Sequence, residues 1–142
     1  MAKQIAKIMG VVFILVGILG FLAPGLLGMH LSLAHNLVHL ISGALALYFG
    51  FAGTLSGARL FCIVFGVVYA LLGVAGFLLG HAGAHTVSAV PAHGQDSSLF
   101  AALPGSLELA SPDHLVHILL GIVFLIGGFL TKADLDRAVD RA

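Results

Sequence analysis

Charge is what this sequence has least of. Six Lys and Arg and six Asp and Glu are only 8% of its 142 residues, against about 25% in an ordinary soluble domain. Six against six leaves a formal charge of zero, so there is no basic surface to hold nucleic acid. Cysteine is almost missing. Cys62 stands alone, which excludes an internal disulfide, and inside an apolar run it reads as a small buried hydrophobe. The patterns of catalysis are missing too: there is no Cys-x-x-Cys, His-Glu-x-x-His, Gly-rich phosphate loop or Ser/His/Asp order, and no acid lies inside an apolar run to relay a proton. The expectation is a chain that is not an enzyme.

What remains is hydrocarbon. Hydrophobic residues make up 60% of the chain and mean hydropathy is +1.14, values that belong to a membrane protein. The apolar residues fall into spans at about 5–22, 35–52, 60–79 and 112–130, each near the ~20 residues that cross ~30 Å of hydrocarbon. All four belong to a single transmembrane domain, 1–142. The first span, with Lys3 and Lys7 on its shoulder, has the look of a secretory leader. Ala23-Pro24-Gly25 lacks an Ala-x-Ala site, however, and the span recurs later in the chain, so it reads as a retained helix. Residues 24–34 form a short uncharged link, and Thr54-Leu55-Ser56-Gly57-Ala58-Arg59 reads as a turn. The one long connection, 81–111, carries apolar pieces at 99–103 and 107–109 that fold back on the bilayer surface or cap the bundle. Ser111-Pro112-Asp113 starts the fourth helix, with a capping residue type, a proline whose missing N–H costs nothing, and an acid at the positive end of the dipole. The tail 131–142 mixes Lys132, Arg137 and Arg141 with Asp134, Asp136 and Asp140 and reads as an exposed helical extension or a frayed end.

The spans repeat. Moved back by 56 positions, the third lies on the first without a gap: Gly66, Gly73 and Gly76 fall on Gly10, Gly17 and Gly20, Tyr69 on Phe13, and Arg59 on Lys3. The fourth matches the second at an offset of 78, with Leu115-Val116-His117 on Leu37-Val38-His39 and Gly121 on Gly43. The fold expected is therefore all-α, an integral membrane four-helix bundle of two parallel-repeated helical hairpins. Its glycines let helices approach closely, most simply within one bundle. With four spans, all six basic residues fall on one side, which the positive-inside rule puts in the cytoplasm together with both termini. All eight histidines fall on the other side.

Asn36-Leu37-Val38-His39-Leu40 followed by Gly43, with a second Asp113-x-x-x-His117-x-x-x-Gly121, resembles a family of small four-helix bacterial membrane proteins catalogued as domain of unknown function 4383. The likeness extends over nearly the whole chain. It implies the four-helix fold and a bacterial plasma membrane but no activity. This chain has His114 where the resemblance leads one to expect asparagine.

The histidines carry what chemistry there is. His35 and His39 are four apart and His114 and His117 three apart, so in helices each pair shares a face. Three readings stay open. In the first, His39 and His117 hydrogen-bond to each other or to Asn36 and Ser42 and lock the hairpins together, which satisfies costly polar groups at the membrane edge. The protein is then a non-enzymatic scaffold or accessory subunit without a cofactor, and Asn36, Ser42 and Asp113 belong to the same structural polar cluster. In the second, His35, His39, His114 and His117 hold a transition metal, or His39 and His117 a haem, with Asp113 orienting a ligand. The third is a pH-responsive or proton-handling role. His81, His85 and His93 read as plain surface residues. The partners expected are the lipid bilayer and, for so small a chain, further copies of itself or a larger membrane complex.

Overall fold

The computed structural model describes residues 1–87, 90–91 and 94–132. The readings made for His93 and for the tail, with Arg137, Arg141 and its three aspartates, lie outside the described residues. Four helices dominate: α1 (Ala2–Leu22), α2 (Leu33–Phe51), α3 (Leu55–Leu79) and α4 (Ser111–Phe129). Each is long and apolar enough to cross a membrane. Their burial pattern is the reverse of a water-soluble bundle. Ile8, Leu71 and Leu119 are more than half exposed, while Asn36, Asp113 and His114 are buried. Only a hydrocarbon surrounding makes that arrangement favourable.

The helices pack as two hairpins, α1 against α2 and α3 against α4, with looser contact across. Glycine makes each hairpin close. A Cβ on Gly10 would stand 2.8 Å from Leu47, and one on Gly66 would stand 2.7 Å from Leu125. Gly17 receives Leu40 and Gly73 receives Ile118; the Asn36 side chain fills the notch at Gly20 and His114 the notch at Gly76. Every one of these pairs has its counterpart 56 positions on in one helix and 78 in the other. Positions related by the same offsets also face one another between the hairpins, where the Phe13 and Tyr69 rings stack at 5.3 Å. Phe61, Cys62 and Phe124 complete the core, and the Cys62 thiol donates to the Ala2 carbonyl at 3.6 Å.

Two expectations need correction. The protein is not purely helical, because the long connection folds into a small sheet. Strands β1 (His81–Gly83), β2 (Asp96–Leu103) and β3 (Leu107–Leu109) form an antiparallel sheet in the order β1-β2-β3. Phe100 pairs with Leu109 and Ala101 with Glu108. The chain turns between β2 and β3 through Pro104-Gly105, and Gly105 takes the positive φ of +76° that a side chain resists. The second correction concerns 54–59, which is not a turn. Thr54 caps α3, its hydroxyl accepting the Gly57 N–H at 3.0 Å, and the helix runs straight through Ser56 and Gly57.

Candidate functional site

Three imidazoles meet between the hairpins at the end of the bundle that carries the sheet. His35 and His39 come from one face of α2 and His117 from α4. One nitrogen from each lies within 4.8 Å of the others, and all three side chains are buried. The rings of His35 and His39 are 4.5 Å apart and those of His35 and His117 5.8 Å. Aromatic rings support the cluster: Phe13 stacks on His39 at 5.6 Å and Tyr69 lies 5.4 Å from His117.

The nitrogens are unevenly provided for. His35 Nδ1 is 2.8 Å from the His30 carbonyl. A carbonyl only accepts, so Nδ1 carries the proton and Nε2 presents its lone pair. That Nε2, His39 Nδ1 and His117 Nδ1 are buried with no hydrogen-bond partner among the described residues. No hydrogen bond joins His39 to His117 among the described residues. A buried polar group left unmade costs about 1–3 kcal/mol, so three such groups in one place are unusual in a finished core.

His114 does not join them. It faces α3, where its ring sits over Gly76 and lies 5.1 Å from Phe77, and its Nε2 meets the Ser98 carbonyl at 2.7 Å. Asn36, Ser42 and Asp113 each bond to different partners. The Asn36 amide donates to the Leu31 carbonyl at 3.2 Å. Ser42 accepts from the Tyr69 hydroxyl at 3.5 Å. Asp113 Oδ2 accepts two backbone N–H groups, of Ala110 at 2.7 Å and of His30 at 3.0 Å, and Oδ1 stands 4.0 Å from His35 Nδ1.

A cavity of about 170 Å³ opens beside the imidazoles. Ser42 and Tyr69 share its polar wall with the three histidines, while Leu107 and Leu109 of β3 roof it. The roof is braced from outside. Glu108 between those leucines is buried, and its carboxylate accepts the Thr86 hydroxyl, the Thr86 N–H at 2.6 Å and the Gly105 N–H at 2.8 Å. Burial pushes its pKa up, but these hydrogen bonds and nearby His85 outweigh that and hold the carboxyl below its usual range. His30 lies beside the roof, its Nε2 3.2 Å from Asp96 and its ring 4.4 Å from His85. Burial and the neighbouring His85 lower its pKa against the pull of Asp96.

Chemically the cluster offers up to three imidazole nitrogen ligands beside a cavity. A porphyrin is far larger than the cavity, so the space beside His39 and His117 does not fit a haem. Neither Tyr69 nor the β3 leucines were expected beside the histidines, although the sequence pairs Tyr69 with Phe13 and lets 107–109 cap the bundle. Tyr69 had a signal, since it occupies the place of Phe13 at the 56-residue offset. The leucines had the apolar character of a cap, but which part of the bundle they cover depends on the fold of the long connection.

The family described as Domain of unknown function (DUF4383) matches residues 3–104. The match takes in His35 and His39 and ends before α4, so Asp113, His114 and His117 lie beyond it. No curated protein and no solved structure matches the chain.

Proposed function

Because the chain belongs to the family described as Domain of unknown function (DUF4383), membership supplies no activity, and we propose that it is a non-enzymatic membrane protein that holds a transition-metal ion through His35, His39 and His117. We place it in the bacterial plasma membrane with both termini inside, so that the metal site faces outward. The observation that carries the reading is the convergence of three buried imidazoles whose free nitrogens have no partner among the described residues. The His35 Nδ1 bond to a backbone carbonyl supports it, because that bond fixes the tautomer in which Nε2 binds metal. Imidazole suits Zn, Cu, Ni or Fe. The shared 56- and 78-residue offsets of the glycine contacts support an origin by duplication of one helical hairpin.

A second reading, a metal-free scaffold or accessory subunit, is favoured by one measurement. Nitrogens around tetrahedral zinc stand about 3.3 Å apart for bonds of about 2.0 Å, closer than the 4.8 Å limit found here. Binding therefore requires the rings to draw in. Elemental analysis of protein purified without added metal decides between the two. The metal reading expects one equivalent, lost when His39 and His117 are both replaced by leucine and kept in His114→Asn. Sub-stoichiometric metal, with a melting temperature indifferent to chelator, would leave the scaffold.

A further inference from the structure

The cavity beside the imidazoles has the size and the lining of a ligand site. An engineered apolar cavity of about 150 Å³ takes up benzene, so about 170 Å³ accommodates one six-membered ring. Phe65, Val68 and Leu72 of α3 and Val38 of α2 give it an apolar wall. Val38 and Val68 line it while remaining 43% and 48% exposed. The mouth therefore lies between α2 and α3, which touch less than the helices of either hairpin. Leu107 and Leu109 roof the space on the side of the sheet, so the mouth faces sideways into acyl chains.

A bare hydrocarbon ring would fill the volume and leave the imidazole nitrogens unsatisfied. A hydroxyl on that ring meets both demands: the ring covers the apolar wall, and a turn of one imidazole brings its buried free nitrogen to the cavity, where it accepts the O–H. We propose that this cavity binds a single hydroxylated six-membered ring, a phenol or a quinol head group, entering from the outer leaflet between α2 and α3. Binding does not depend on the metal. In metal-free protein an imidazole nitrogen accepts the O–H; with an ion in place, the oxygen meets the ion's open side.

The test uses the full chain in detergent, treated with chelator, and titrates phenol and toluene by ligand-observed NMR. Val68→Phe in the same detergent gives the background from partition into micelles; the half-exposed position lets the larger side chain plug the mouth without crowding the core. Saturable phenol binding at least ten-fold tighter than toluene, weakened ten-fold or more by Val68→Phe, is the expected result. His39→Phe combined with His117→Phe should reduce the preference for phenol at least three-fold while toluene still binds. A short-tailed quinol binding more tightly than phenol identifies a lipid head group as the source, and equal affinity identifies a free phenol. Toluene binding as well as phenol, or phenol binding unaffected by Val68→Phe, overturns the proposal. Because no metal is present, neither result depends on whether the metal site exists.

Discussion

His114 and Asn36 do the same mechanical work, each filling the notch above a glycine on the neighbouring helix. That separates position 114 from the site although His117 is one helical turn away. Spacing in the sequence places two histidines on a common face, but it does not tell which flank of that face meets α3 and which meets the gap between hairpins. His35, His39 and His117 were thus legible as a group, whereas the separation of His114 was settled only by packing. Gly76→Ala should push the His114 ring out of its notch and cost about 1–3 kcal/mol, the usual range for overpacking, read as a lower melting temperature. His114→Asn should keep most of that stability. Glu108 gives a residue-level pH effect. Its pKa is held below the unfolded value, so the stability it lends the roof is fully present above the ordinary carboxylate range and is lost as pH falls through the depressed folded value. Protection factors for the amides of 99–109, taken relative to the intrinsic exchange rate at each pH, should fall on acidification, and Glu108→Gln should remove most of that dependence. An unchanged pH profile in the variant would mean that other groups unlock the sheet.

At the scale of elements, the apolar spans were legible because twenty uncharged residues in a row admit one solution in hydrocarbon, the helix. Their ends were less so. Thr54-Leu55-Ser56-Gly57 has the composition of a turn, yet a threonine three residues ahead of a free N–H is also a helix cap, and the second role won. Thr54→Ala should therefore cost about 1 kcal/mol, measured as a shift in the unfolding midpoint, even though the side chain is exposed. The sheet was missed for a different reason. Apolar pieces on both sides of Pro104-Gly105 carry a hairpin signal, but β2 lacks clean alternation, since its polar start at Asp96-Ser97-Ser98 passes directly into Leu99-Phe100-Ala101-Ala102-Leu103. A segment of that kind reads equally well as a surface-seeking loop.

For the whole molecule, Lys3, Lys7 and Arg59 gather at one end of the bundle, where Arg59 donates to the Gly128 carbonyl at 3.1 Å and the Lys7 ammonium lies 4.5 Å from the Phe51 ring. The histidines described above gather at the other end. With that end outward, a thiol introduced as Ser97→Cys should react with an impermeant maleimide on intact cells, and one introduced as Lys132→Cys only after lysis. Cys62 is buried and contributes no background. Labelling of position 132 from outside would reverse the orientation. The two N–H groups held by Asp113 have a consequence for synthesis. One belongs to His30, in the link that closes the first hairpin, and the other to Ala110, the cap residue just before α4. The ribosome delivers His30 and the carboxylate that holds it 83 residues apart. The first hairpin thus leaves the insertion machinery with its outer turn unfastened, and the last helix brings the fastener. A nascent chain arrested before Asp113 would expose that loose turn, giving a quality-control protease a means of telling an unfinished copy from a finished one.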